Sequence, residues 1–271
     1  MSLPPIALAA TWNPRGEIGR LERLLDRLHQ AYAALYISLP PQPDHPADQI
    51  DLLDRLAGDT IECFVNPDWS WGRYTALRLA INSSAPWIHY ADLDRLLRWM
   101  EQHPSEWLET LARIQICDYL VIGRTPAAYA THPQALVQTE ALSNAVISSL
   151  VGQSMDVSAG SKGFSHRAAS YVVEHTHPGH ALGTDGEWTV LLKKAGFQLG
   201  YVEVAGLDWE SADRYQSQAA DSHRQRQAAD AYDSDPENWA RRVAVAEEII
   251  RLGFQTAARE IQVIDPVSAE S

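Results

Sequence analysis

The sequence predicts an α/β fold in which helices cover both faces of a doubly wound, mostly parallel sheet. Short apolar runs, such as those at 6–10 and 33–39, are typical of strands that are buried on both faces. Amphipathic stretches such as 21–28 alternate with these runs, and this alternation is typical of a parallel sheet. The length of 271 residues suits one large domain or two small ones, at roughly 150 residues per domain.

The predicted elements follow one another regularly in the first half of the chain and less regularly in the second. In the first half, strands are predicted at 6–10, 33–39, 61–65 and 87–91, and helices at 21–28, 50–56 and 74–81. In the second half, strands are predicted at 119–123 and 199–204, and a glycine-rich turn with strand character is predicted at 157–164. Helices are predicted at 136–151, 186–195 and 239–252, and a further helix at 97–114 is expected to break at Pro104. A loop is predicted at 125–133, a short helix that ends at 171–175, and a surface helix or mobile segment at 213–237.

The composition restricts the classes of ligand that the protein can bind. The chain has 22 Lys and Arg against 35 Asp and Glu, a net charge of −13 with neutral histidines. This charge disfavours binding to nucleic acid or anionic lipid. The same field repels a phosphorylated ligand, which would need a local arginine cluster or a bound cation.

The cysteines and the hydropathy pattern indicate the compartment. Cys63 and Cys117 have neither disulfide nor zinc-site spacing. No segment approaches the roughly 18 apolar residues that a membrane span needs, and the opening residues lack the basic region of a signal peptide. We therefore expect a cytoplasmic protein without a transmembrane segment.

Asp92 and Asp94 directly follow the predicted strand at 87–91. Ligands of open α/β sheets bind at the carboxyl ends of the strands, and a pair of carboxylates there can hold a hard divalent cation that also binds phosphate. Either aspartate could instead cap the helix that follows. The sequence leaves both interpretations open.

Asp185 and Glu187 lie at the start of the helix predicted at 186–195. Exposed backbone N–H groups and the helix dipole favour carboxylates there, whether they act in catalysis or only as a cap and a charge in the first turn. The sequence leaves these two roles open as well.

Several residues near the predicted strand ends could bind a diphosphate or an aromatic ring. Gly72 allows close backbone approach, and Arg73 or Arg15 could bind a diphosphate with two hydrogen bonds or could be ordinary surface arginines. Three tryptophans could either stack on a base or sugar or pack in the core: Trp12, Trp69 and Trp71. A loop with one substrate or metal contact is predicted at His175, His177 and His180.

The order of these parts resembles that of the GT-A fold glycosyltransferases, especially the family 2-like enzymes, over roughly residues 5 to 205. Asp92-Leu93-Asp94 matches the metal-binding Asp-x-Asp of that family, and Ser161 to Arg167 looks like its acceptor-side turn. Thr184 to Trp188, followed by Leu191 to Phe197, is similar to the family's Glu-Asp-x-Glu/Asp helix with its Lys/Arg-Ala-Gly ending. The chain departs from the pattern in having Thr184 for the usual Glu, Ser38 to Pro41 for the usual Asp-Asp, and Gly72-Arg73 for the usual Ala-Arg-Asn.

The resemblance implies a metal-dependent transferase that moves a sugar from a nucleoside diphosphate donor to an acceptor hydroxyl. Mg²⁺ or Mn²⁺ would bind to Asp92 and Asp94, and the catalytic carboxylates would be Asp185, in the position of the base, and Glu187. Donor-binding residues by the same match are Thr11, Arg15, Trp71, Gly72, Arg73 and Asp92. Acceptor-side residues are Gly163, Phe164, His177 and His180.

The same resemblance divides the chain into a transferase domain and an extension. The domain covers 1–205, with a donor half at 1–95 and an acceptor half at 96–205, and a helical extension follows at 206–271. Two other functions stay open: a noncatalytic glycosyltransferase-like protein that binds a nucleotide or sugar, and an Asp-x-Asp phosphohydrolase. The phosphohydrolase arrangement normally follows the first strand of its domain, whereas this pair comes after about ninety residues.

Overall fold

Seven strands form one sheet in the computed structural model, which describes residues 5–264. The strands are β1 (Ile6–Thr11), β2 (Leu35–Leu39), β3 (Ile61–Val65), β4 (Trp87–Asp92), β5 (Tyr119–Arg124), β6 (Ser161–Ser165) and β7 (Leu199–Val204). Their order across the sheet is β3-β2-β1-β4-β6-β5-β7, and β6 alone runs antiparallel to its neighbours among these seven strands. The predicted α/β class and mostly parallel sheet are therefore confirmed.

Helices pack on both faces of this sheet, as predicted. They are α1 (Ile18–Ala31), α2 (Pro46–Asp51), α3 (Gly72–Ala80), α4 (Leu93–Gln102), α5 (Pro104–Ile114), α6 (Pro126–Tyr129), α7 (Gln134–Val151), α8 (His166–His175), α9 (Thr184–Lys194), α10 (Ser222–Asp233) and α11 (Pro236–Ala258). Leu8 of β1 packs in the same apolar cluster as Leu21 of α1, whereas Ala9 packs with Leu77 of α3 on the opposite face. None of the helices within residues 5–264 combines the length and apolar character that crossing a membrane requires.

The position of β1 creates a crevice at one edge of the sheet. Its two parallel neighbours are β2, reached through α1, and β4, which follows α3. Because α1 and α3 pack on opposite faces, the chain separates at the carboxyl ends of β1 and β4. This is the place where open α/β sheets bind ligands.

Two local predictions were wrong, and each has a local cause. The loop predicted at 125–133 contains α6, because Thr125 caps that helix by accepting a hydrogen bond from the Ala128 N–H and Pro126 occupies its first turn. The helix predicted at 50–56 starts earlier, at Pro46, and ends in a π-helical turn at Leu52–Leu56.

The C-terminal helices complete the layer that covers one face of the sheet. α11 packs along α7 and α9, and a Cβ at Gly186 of α9 would lie 2.4 Å from the carbonyl oxygen of Ile249. α10 occupies part of the polar stretch at 213–237. The division of the chain at residue 205 stays a prediction, and the ends of the proposed domains, 1–4 and 265–271, lie outside the described residues.

A buried chain of polar groups crosses the opposite layer. Trp107 donates its indole N–H to the hydroxyl of Tyr32 over 3.1 Å, and that hydroxyl lies 2.7 Å from Nδ1 of His89. Nε2 of His89 lies 2.9 Å from the Ser161 hydroxyl. Both ring nitrogens are therefore satisfied by a neutral imidazole, and burial lowers the pKa of His89 to about 3.

We expect His89 to make the protein less stable as the pH falls. Between about pH 6.5 and 3, the unfolded chain takes up a proton at His89 that the folded protein excludes, so the free energy of unfolding decreases by up to about 1.4 kcal/mol per pH unit. His89→Gln removes this titration and should flatten the dependence between pH 6 and 4, measured by urea unfolding. The exposed His223→Gln variant should keep the wild-type profile; equal profiles in all three proteins would contradict the assignment.

Candidate functional site

A cleft of about 370 Å³ opens at the carboxyl ends of β1, β2 and β4. Ten charged side chains line it: Arg15, Arg73, Arg95, Arg214, Arg242, Asp92, Asp94, Glu140, Asp185 and Glu210. Five of the 22 Lys and Arg residues therefore converge here in a chain of net charge −13. Five carboxylates balance these arginines, so the lining is neutral although the chain as a whole is acidic. A phosphorylated ligand is repelled less here than elsewhere on the surface.

Asp92 ends β4, and its side chain is held by hydroxyl groups. Oδ1 accepts hydrogen bonds from Thr11 at 2.9 Å and from Tyr90 at 2.8 Å. Oδ2 lies 3.6 Å from the Arg73 guanidinium. Asp92 occupies the N-cap position of α4, but its side chain makes no capping hydrogen bond, so the capping interpretation is wrong for this residue.

Asp94 lies in the first turn of α4, where its charge is poorly compensated. Oδ1 accepts the backbone N–H of Arg95, and Oδ2 lies 3.3 Å from Arg15. Burial and the nearby carboxylate of Glu210 raise the pKa of Asp94 to about 7, although Arg15 acts in the opposite direction. Arg95 pairs with Glu210 at 3.1 Å, and this pairing outweighs burial and lowers the pKa of Glu210.

The two aspartates fit a hard divalent cation of the kind that binds together with a diphosphate. In each aspartate, the Oδ2 oxygen has no tight ion-pair partner. Arg73 lies 3.6 Å from Oδ2 of Asp92 and Arg15 lies 3.3 Å from Oδ2 of Asp94, compared with roughly 2.8 Å in a tight ion pair. Space beside Asp92 is provided by Gly160, where a Cβ would lie 2.5 Å from Oδ2 and where the φ of +75° also favours glycine. Mg²⁺ commonly takes one or two carboxylates and completes its shell with phosphate oxygens and water.

Asp185 lies between two buried cations. Its Oδ1 lies 2.6 Å from Nη1 of Arg73 and also pairs with the ammonium of Lys162 from β6. Within the described part of the chain, no hydrogen bond falls on Oδ2. The N-cap of α9 is Gly183, and the Asp185 side chain turns toward the cations instead of the helix N–H groups, so the capping interpretation is wrong here too.

This ion pairing keeps Asp185 charged. Burial alone would raise the pKa of Asp185, which is 2% exposed, but the charges of Arg73 and Lys162 outweigh burial and hold its pKa below the ordinary value. Asp185 is thus an ionised carboxylate that lines the cleft with one oxygen held in place.

Two arginines lie together at the mouth of the cleft. Arg15 pairs with Asp44 at 2.9 Å through Nε and reaches Asp94 with Nη1. No carboxylate within 5–264 forms an ion pair with Arg214, and partial burial and the charge of Arg15 lower its pKa. Adjacent guanidinium groups of which one is unpaired favour an anion between them.

The end of the cleft at β2 carries a serine hydroxyl and two tryptophan rings. Ser38 accepts a 2.6 Å hydrogen bond from the side chain of Asn66, which leaves the Ser38 proton free for a ligand. Trp69 lines the cleft and is 64% exposed, whereas Trp12 lines it from a buried position. Trp71 lies outside the lining, close to the loop at Gly179, so the structure does not bring it to the cleft.

The proposed acceptor residues lie elsewhere. Phe164 is fully buried between Tyr119 and Trp188, and Gly163 packs against Ile114, because β6 is a central strand whose side chains enter the core. Both residues are buried and neither lines the cleft, so the structure contradicts the acceptor-side assignment of Phe164 and Gly163.

The loop before α9 carries the remaining candidates. His177 is exposed, and His180 pairs with Glu187 at 2.8 Å, which raises the pKa of His180. None of these three side chains lines the cleft, although Ala181 and Leu182 beside them do. Their catalytic and acceptor roles stay predictions.

Sequence reasoning missed much of the cleft lining. Its C-terminal residues are Trp209, Glu210, Ser211, Arg214, Tyr232, Arg242, Val245 and Ile249. Glu210 follows the last predicted strand, at 199–204, and no motif marks it. The rest come from stretches that carry no motif, and the i, i+3, i+7 spacing of 242, 245 and 249 was the one available signal.

The chain matches no known protein-family model and no curated protein at a significant level. The geometry of the cleft is therefore the basis on which a function can be assigned.

Proposed function

We propose that the protein binds a nucleoside diphosphate sugar in this cleft and transfers the sugar to an acceptor hydroxyl. One observation carries the proposal: arginines and an Asp-x-Asp pair converge at the carboxyl ends of the parallel strands β1 and β4, whose connecting helices α1 and α3 lie on opposite faces of the sheet. A diphosphate needs positive charge, and in this acidic chain the five arginines of the cleft balance its five carboxylates and leave Arg214 without an ion-pair partner within 5–264. The resemblance of the sequence to GT-A glycosyltransferases supports the same function.

The residues of the chain have distinct tasks in this reaction. Arg15 and Arg214 bind diphosphate oxygens at the mouth, and Asp92 and Asp94 hold the divalent cation. When bound, the cation stabilises negative charge on the leaving diphosphate. Trp69 offers an exposed ring for stacking on the base.

Asp185 is the proton acceptor in this proposal. Arg73 and Lys162 fix its Oδ1 and keep it ionised, so Oδ2 can accept the proton of the acceptor hydroxyl as that oxygen attacks. A direct displacement of this kind inverts the configuration of the sugar. The low pKa of Asp185 weakens it as a base, and positioning compensates for this weakness.

The cation-binding role of the aspartates can be tested with two substitutions. We expect Asp92→Ala and Asp94→Ala to weaken Mn²⁺-dependent binding of UDP or GDP at least about tenfold, because each loses a cation ligand. Isothermal titration with and without Mn²⁺ measures the effect.

The exposed Asp26→Ala variant is the matched control and should bind as the wild type does. If Asp92 and Asp94 are structural only, the substitutions should lower stability, because Thr11, Tyr90 and Arg15 lose an acceptor, and should leave binding intact. Normal Mn²⁺-dependent binding in both variants would reject the cation site.

A noncatalytic nucleotide-binding protein is the second candidate. The observation that favours it is the burial of Asp185 between two cations, since a carboxylate of lowered pKa is a poor base. The two candidates differ in one measurement, the hydrolysis of a nucleotide sugar in the absence of acceptor. A transferase should hydrolyse it slowly, and a binding protein should not hydrolyse it at all.

A further inference from the structure

The wall of the cleft opposite β1 and β4 is built from helices and differs in character from the charged side. Leu136 and Glu140 lie four residues apart on one face of α7, and Arg242, Val245 and Ile249 share one face of α11. The remaining members of this helical wall are Ala181, Leu182, Trp209 and Tyr232. Trp209 and Tyr232 meet edge to face, with ring centroids 6.2 Å apart.

The charged groups of the helical wall are already paired with one another. Arg242 pairs with Glu140, and the other oxygen of Glu140 lies 2.6 Å from the fully buried Arg124 of β5. Arg124 is also held by Asp156 at 2.7 Å. Four apolar members of the wall are buried: Leu136, Ala181, Trp209 and Ile249. The surface that the wall offers a ligand is therefore mainly that of the half-buried Leu182, Tyr232 and Val245.

Asp185 stands where the helical wall meets the charged side. The next residue, Gly186, packs against the carbonyl of Ile249, a member of the wall. If a molecule places a hydroxyl group beside Asp185, the rest of that molecule lies against the helical wall. A molecule made only of hydroxyl-bearing rings would lose hydrogen bonds to water there without replacing them.

We propose that the acceptor is an alcohol or phenol with an apolar, ring-containing body, held by the helical wall with its hydroxyl toward Asp185. This inference rests on the proposed transfer function. In the step, the acceptor oxygen forms a bond to the anomeric carbon, and its proton passes to Asp185. The bond from that carbon to the diphosphate oxygen breaks, and the diphosphate leaves with the electron pair.

Binding of 2-naphthol tests this assignment, with methyl α-glucoside as the polar comparison. Val245→Glu places a carboxylate in the helical wall and should weaken 2-naphthol binding at least about tenfold. Val243→Glu is the matched control, because Val243 lies on the same helix, is 57% exposed and is outside the cleft. Tyr232→Ala, on α10, is a second test if Val245→Glu unfolds the protein, and thermal unfolding of each variant checks the fold.

Weaker 2-naphthol binding in Val245→Glu or Tyr232→Ala, with wild-type binding in Val243→Glu, supports the assignment. Absence of binding to the wild type, equal binding to all variants, or a preference for methyl α-glucoside overturns it. A parallel titration with UDP and GDP in Mn²⁺ tests the transfer function separately. Nucleotide binding without 2-naphthol binding overturns the acceptor assignment alone, whereas 2-naphthol binding without nucleotide binding supports the apolar site and overturns the transferase.

Discussion

Asp185→Asn is expected to lower the free energy of unfolding by about 3–5 kcal/mol, because it leaves Arg73 and Lys162 buried with one anion too few. If Asp185 is also the base, the folded variant should lose activity by a factor on the order of 10² to 10⁴. Urea unfolding and the hydrolysis of a nucleotide sugar measure the two effects.

Two further variants separate the ion pair from a general effect of substitution. Asp230→Asn changes a carboxylate that is 70% exposed and should alter stability by no more than about 0.5 kcal/mol. Adding Lys162→Met to Asp185→Asn removes a stranded cation, so the double variant should be more stable than the sum of the single effects predicts. Wild-type stability in Asp185→Asn would contradict the ion-pair role, and unchanged hydrolysis would remove Asp185 as the base.

Gly186→Ala is expected to cost about 1–3 kcal/mol or more and to distort the helical wall of the cleft. The new Cβ would lie 2.4 Å from the carbonyl oxygen of Ile249. Backbone atoms cannot rotate away, so α11 has to move as a unit from α9. The unfolding midpoint and the affinity for 2-naphthol should decrease together.

Gly19→Ala is the matched control for this substitution. Gly19 also lies in the first turn of a helix, α1, but has no atom within 4 Å of its added Cβ. Alanine there should stabilise the protein by up to about 1 kcal/mol. Equal stability of the two variants would show that the close approach of α9 and α11 does not limit the packing.

Local patterns in the sequence were sufficient to predict most of the sheet and the place of one carboxylate pair. The apolar runs at 6–10 and 119–123 became β1 and β5 at the predicted positions. Both strands are buried along nearly their whole length, and burial on both faces demands apolar residues at every position. The place of Asp92 and Asp94 was predictable because the apolar run before them ends there, and the end of the run marks the end of the strand.

Local patterns did not predict the direction of β6 or the burial of its aromatic residue, Phe164. A glycine-rich turn followed by Phe164 has the same local pattern at a ligand site and in a core. Pairing with β4 and β5 places β6 in the middle of the sheet, and no local signal in the strand specifies its neighbours. Phe164 is therefore buried against Tyr119 instead of facing a ligand.

By itself the sequence determined the α/β class, the strand ends and the acidic surface, because these depend on composition and on patterns within about ten residues. The tertiary structure alone decided that Asp185 pairs with Arg73 and Lys162, residues that come from three different elements. It also decided that α11 forms a wall of the cleft with Val245 and Ile249. Charged groups and apolar faces interact with whichever residues the packing places next to them. The sequence separation of two residues does not indicate whether packing brings them into contact.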